Sequence, residues 1–186
     1  MPIIGIAIIL NANIYTHLET KHEIYIYSIV FFFTVVLPIS FLPLLKIWKV
    51  ISSVELSTRK ERFIPQFVAT VCFILAHYFL VKVGAPRAIT MFTLSISVLG
   101  LLSLFITMFW KVSIHMIAIG GIVALVFMLF MKYNFSSFYL FSFLILLSGA
   151  IASSRLYLKS HNIWQVLVGY SSGFSVVFFV YLSFIR

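Results

Sequence analysis

Five residues separate the pair Ser154-Arg155 from His161, and three separate His161 from Gln165. Arg155 offers a planar fork of donors that matches phosphate oxygens, and Lys159 a compact charge. His161 and Gln165, four apart, share one helical face, so the amide can accept from one ring nitrogen and set where the proton sits. A second cluster reads Lys111-Val112-Ser113-Ile114-His115, and a third holds Arg59, Lys60 and Arg62. Two histidines among basic groups suit phosphoryl transfer: one attacks phosphorus, and the other protonates the leaving oxygen. Ser113 and His115 open one expected helix and His161 another, where backbone N–H groups and the positive end of the helix dipole favour an anion.

Each feature alone has a plainer reading. Trp110-Lys111 is an ordinary interfacial anchor pair. Arg59 and Arg62 are three apart on one helical face, and Glu55 can pair with Arg59 at i, i+4, as on any solvated helix end. A single interfacial histidine is more often structural, and His77, inside an apolar run, is expected to make a packing hydrogen bond. His17 and His22 fall in a loop on the opposite face. Cys72 is alone, which excludes an internal disulfide and a cysteine metal cluster, and it reads as packing. There is no Asp and there are four Glu, so carboxylate ligands for a metal are nearly lacking; neither metal nor cofactor is expected.

The elements that must position these groups are membrane helices. Of 186 residues, 63% are apolar and only 9% charged, a balance outside the soluble range. Runs such as Ile29 to Leu37 and Ile117 to Met131 are apolar on nearly all sides, which fits helices rather than the alternating strands of a barrel. The expected fold is all-α: one integral membrane domain over residues 1–186, a bundle of six to seven transmembrane helices. They are placed at 2–14, 24–48, 65–83, 88–109, 114–131, 136–153 and 162–184, the first short or partial and without the basic n-region of a signal peptide. Pro38 and Pro43 should distort the second helix. The formal charge of +9 reflects helix ends anchored to anionic lipid. Without a soluble basic domain, nucleic acid is not an expected partner.

Parity organises the chemistry. The polar segment 52–62, the segment 111–115 and the segment 154–161 are each separated by two crossings, so all three meet the same membrane face. That face gathers Arg59, Lys60, Arg62, Lys111, His115, Arg155, Lys159 and His161, a grouping the opposite loops lack.

These clusters resemble the type 2 phosphatidic acid phosphatase family over roughly residues 52–175. The third family motif, Ser-Arg, five residues, His, three residues, Asp, is matched by Ser154, Arg155 and His161, with Gln165 in the Asp position. The second, Pro-Ser-Gly-His, is matched at Ser113 and His115. The first, Lys, six residues, Arg-Pro, is matched loosely at Arg62, with Glu55 in the Lys position and Arg59 or Lys60 as substitute charge. The chain also looks like a small bacterial branch in which Gln follows the last His. The resemblance implies metal-independent hydrolysis of a lipid phosphate in the bacterial inner membrane. His161 would form a phosphohistidine, oriented by Gln165, and His115 would be the general acid. Arg155, Arg62, Arg59, Ser113, Lys111 and Lys60 would hold phosphoryl oxygens.

Gln can orient the histidine but cannot balance its charge. A slow enzyme, an enzyme with another group in the Asp role, and a silent protein that binds anionic lipid head groups are all compatible with it. A small transporter or assembly subunit fits the hydropathy but leaves the paired histidines unexplained. The positive-inside rule makes the site face cytoplasmic if all basic residues count. Once the groups assigned to phosphate are discounted, Lys46, Lys49 and Lys159 face Lys21, Lys82, Arg87, Lys132 and Arg186, and a periplasmic site is expected. Cysteine labelling at positions 58 and 134 decides between them. Oligomeric state has no signature in the sequence.

Overall fold

The structure is a computed structural model that describes residues 2–12, 14, 18–47, 59–133, 135 and 138–183. Among them every regular element is helical: α1 (Pro2–Asn11), α2 (Thr20–Phe31), a π-helical turn (Phe32–Val36), α3 (Leu37–Ile47), α4 (Arg59–Lys82), α5 (Arg87–Phe109), α6 (Ile114–Tyr133), α7 (Phe138–Tyr157) and α8 (Ile163–Ser183). Six stretches of the described residues are long and apolar enough to cross a bilayer: Thr20–Ile47, Arg62–Lys82, and the whole of α5, α6, α7 and α8. The chain is therefore a multi-pass, all-α membrane protein, as its composition requires. At 1.5 Å per residue, α1 covers only about 15 Å, half the hydrocarbon thickness.

The distortion expected at Pro38 takes the form of the π turn. Proline has no N–H to give the carbonyl of Thr34, four residues back, and its ring would crowd that carbonyl. The ladder widens instead, and the Leu37 N–H reaches Phe32 O. Pro43 lies inside α3 without ending it. The link from α4 to α5 closes on Gly84, whose φ of 67° belongs to the left-handed region. Ala85 N–H then reaches Leu80 O at 2.9 Å and Gly84 N–H reaches Val81 O at 3.1 Å, the paired bonds of a glycine-terminated helix.

Two compact units divide the chain. In the unit spanning Tyr15–Trp110, α4 lies along α5, and α3 and the π turn pack on α4. Lipid tails are as apolar as leucine, so helices associate through close contact and polar pairs. Gln66 Nε2 donates to Ser103 Oγ at 2.7 Å, and Thr107 Oγ1 donates to Gln66 Oε1 at 3.2 Å. Thr70 sits where a Cβ on Gly100 would come within 2.9 Å of it. His77 Nδ1 lies 3.1 Å from Thr93 Oγ1, the packing bond expected of it. Cys72 is buried in the same helix.

In the unit containing Ile3–Ile14 and Lys111–Arg186, α6 is the buried centre, with α8 along one side and α7 along another. The α6 and α8 backbones touch. A Cβ on Gly120 would strike the Tyr170 carbonyl oxygen, one on Gly173 the Ile117 carbonyl oxygen, and one on Gly169 would lie 2.8 Å from Ser113 O. Further along, Phe127 of α6 meets Phe141 of α7 and Phe174 and Phe178 of α8, with ring centres 6.2 to 6.5 Å apart.

Candidate functional site

The glycine contacts bring two of the three sequence clusters together. Gly169 and Gly173, spaced as in small-xxx-small helix pairs, let the start of α6 close on the start of α8. There the Ser113 N–H reaches the Gln165 carbonyl at 3.4 Å. The Ser113-His115 cluster and the His161-Gln165 cluster thus share one end of one helix pair.

Ser113 caps α6 with its backbone alone: its carbonyl accepts from the N–H groups of Met116 and Ile117, both at 3.0 Å. A serine there ordinarily turns its hydroxyl onto the first helical turn. This hydroxyl does not. Ser113 is 0% exposed, and its Oγ has no hydrogen-bond partner among the described residues. His115 follows in the first turn of α6, exposed, and Lys111 precedes it, half-buried.

Arg155 belongs to the last turn of α7, which runs four residues past the expected end at 153. The helix extends because its terminus is well closed. Lys159 takes the left-handed conformation, φ 49°, at a position where glycine is usual. That turn folds the chain back, so Arg155 O accepts from Ser160 Oγ at 3.1 Å and from His161 N–H at 3.4 Å. Arg155 Nε is buried with no hydrogen-bond partner among the described residues, the second such donor at this end of the unit.

His161 precedes α8 rather than opening it, with Asn162 as the cap residue between them. Asn162 Oδ1 accepts the Gln165 N–H at 2.9 Å, while Gln165 Oε1 accepts the Asn162 N–H at 3.3 Å. This is a reciprocal capping box. The same Oε1 lies 3.0 Å from His161 Nδ1, so the expected pairing of Gln165 with the histidine is present.

The third cluster belongs to the other unit. Arg59, Lys60 and Arg62 lie in the first turn of α4. Glu55, with its suggested pairing to Arg59, and the labelling positions 58 and 134 lie outside the described residues. Asn162 and the glycines of α8 were not singled out from the sequence. An N-x-x-Q spacing ahead of an apolar run was the available signal for the first, and Gly-x-x-x-Gly for the second.

Unpartnered buried donors cost roughly 1–3 kcal/mol each, so their retention in pairs points to a ligand that supplies acceptors. A neutral hydroxyl at the start of α6 and a guanidinium N–H from the last turn of α7, just before α8, suit an anion with several oxygens. Comparison of the chain with protein-family models, curated proteins and solved structures finds no match in any of the three.

Proposed function

We propose that this protein hydrolyses the phosphomonoester or pyrophosphate of a lipid through a phosphohistidine at His161, without a metal. The observation that carries the reading is that two buried donors without partners among the described residues, Ser113 Oγ and Arg155 Nε, belong to residues whose backbones are hydrogen-bonded to Gln165 and to His161. They supply what phosphoryl oxygens need as negative charge builds on them. Lys111 adds charge from the α6 side. The share given to Arg62, Arg59 and Lys60 rests on the parity of the crossings alone.

In the first step a lone pair of the His161 ring forms a bond to phosphorus. The bond from phosphorus to the lipid oxygen breaks, and His115 gives that oxygen its proton. In the second step His115 takes a proton from water, the hydroxide displaces the ring nitrogen from phosphorus, and phosphate leaves. Both histidines end as they began. Lipid rather than soluble substrate follows from the surroundings: Tyr157 is 87% exposed and Trp164 66%, and both flank this end of the spans like interfacial anchors. A periplasmic face of a bacterial inner membrane is the compartment proposed, from the distribution of the remaining basic residues.

The test is phosphate release by purified protein from phosphatidate, a polyprenyl pyrophosphate and lipid A phosphates, with EDTA present. Release that disappears in His161→Ala supports the reading. Release unchanged in that variant sinks the nucleophile. Head-group binding without release from any of the lipids would make the chain the silent binder that Gln165 also allows.

A further inference from the structure

We infer that Asn162 is a positioning residue: its reciprocal cap with Gln165 orients the amide so that His161 is held with its proton on Nδ1 and its lone pair on Nε2. A carboxamide can face a neighbour with its oxygen or its nitrogen, and the two ends differ only in what they bond. The Asn162 N–H removes the ambiguity. A backbone N–H only donates, so the atom 3.3 Å from it must be the amide oxygen. That same oxygen is the one 3.0 Å from His161 Nδ1, and a carbonyl only accepts. Nδ1 must therefore carry hydrogen, and a neutral ring then keeps its lone pair at Nε2.

The cap acts against the ring's own preference, since a neutral histidine side chain in water favours the tautomer protonated on Nε2. The Gln165 backbone is fixed in turn by the 2.9 Å bond from its N–H to Asn162 Oδ1 and by the Ser113 N–H on its carbonyl. One glutamine thus closes a helix cap, ties α8 to α6 and sets a tautomer. The use of the Nε2 lone pair against phosphorus rests on the function proposed above; the tautomer itself does not.

The experiment is long-range proton–nitrogen correlation on full-length, 15N-histidine-labelled protein in lipid nanodiscs at a pH where His161 is neutral. His161 is assigned by its loss in His161→Ala. Wild type should give a protonated Nδ1 and an unprotonated Nε2. Gln165→Leu should invert the pattern; Asn162→Ala, which keeps the backbone N–H but loses the Oδ1 bond that fixes the Gln165 backbone, should give a mixture; and Asn162→Ser, which still caps the helix, should restore the wild-type signals. A proton on Nε2 in wild type overturns the inference, as does a pattern that Gln165→Leu leaves unchanged. If Gln165→Leu does not fold, the Asn162 pair decides: equal spectra for the alanine and serine variants overturn it. The expected spectra together with no phosphate release from any lipid would remove the phosphatase reading and leave the positioning role standing.

Discussion

Replacing Gln165 by Glu tests the weakest chemical link in the proposed reaction. Glutamate fills the same capping-box position and accepts from the same two donors, so geometry and tautomer are preserved. What changes is the response to charge on the ring. When Nε2 bonds to phosphorus and Nδ1 keeps its proton, the imidazole becomes cationic 3.0 Å from the residue-165 side chain. A hydrogen bond involving a charged group contributes about 1.5–3 kcal/mol, against about 0.5–1.5 kcal/mol for a neutral pair. The difference, about 1.5 kcal/mol, lowers the barrier to phosphoenzyme formation by about tenfold in rate. Bare Coulomb attraction at about 4 Å and an effective dielectric of 20 sets an upper bound of about 4 kcal/mol. The same carboxylate also favours the protonated, non-nucleophilic ring before substrate attacks, which raises the histidine pKa. The acid limb of the rate profile must therefore move to higher pH, with the gain present above that limb, where His161 is neutral while His115 still holds its proton, and lost as pH falls. Single-turnover acid-quench kinetics with a radiolabelled lipid phosphate, run across pH, measures both effects. A slower maximal rate with an unmoved acid limb would refute the assignment of Gln165 as the partner of a nucleophilic histidine.

Three further outcomes follow from the packing. Gly169→Ala places a methyl 2.8 Å from Ser113 O and should push the start of α6 off α8, lowering phosphate release at least tenfold, whereas Gly149→Ala, with nothing within 4 Å, should leave it unchanged. Gln66→Leu removes the bonds to Ser103 and Thr107. Both hydroxyls keep their bonds to the carbonyls of Gly100 and Ser103, so denaturation in detergent should show a loss of only about 1 kcal/mol. Lys159→Gly relieves a left-handed lysine at a cost in unfolded-state entropy, and calorimetry should find a melting temperature raised by a few degrees.

The helices were legible because a bilayer admits few alternatives: apolar length alone located every span, and the errors lie at the ends. An apolar count stops at Ser153 and leaves Arg155 outside the helix. The real stop is a backbone event, the left-handed Lys159, and lysine does not advertise that conformation as glycine would. Among the site residues, Ser113, His161 and Gln165 were legible as types at a spacing, and the His161–Gln165 contact followed from i, i+4 geometry. The unpartnered state of Ser113 Oγ was not legible, since serine at a helix start ordinarily caps with its hydroxyl. Nor was the approach of the two helices, which depends on three glycines whose significance appears only when facing backbones are placed.

Those glycines also explain how a site with so little charge balance can hold its shape. Side chains packed between α6 and α8 would let the helix starts slide by a rotamer change, whereas backbone contact at Gly120, Gly169 and Gly173 leaves no such freedom. Ser113 Oγ can then stay unpartnered, because neither α6 nor α8 can shift to offer it a substitute acceptor. An ionised carboxylate at position 165 would add a negative charge beside His161 and weaken the hold on an incoming anion. A neutral amide accepts from His161 and Asn162 and leaves the positive potential of the helix starts to the ligand. On this account the amide exchanges stabilisation of the cationic ring for stronger retention of the anion.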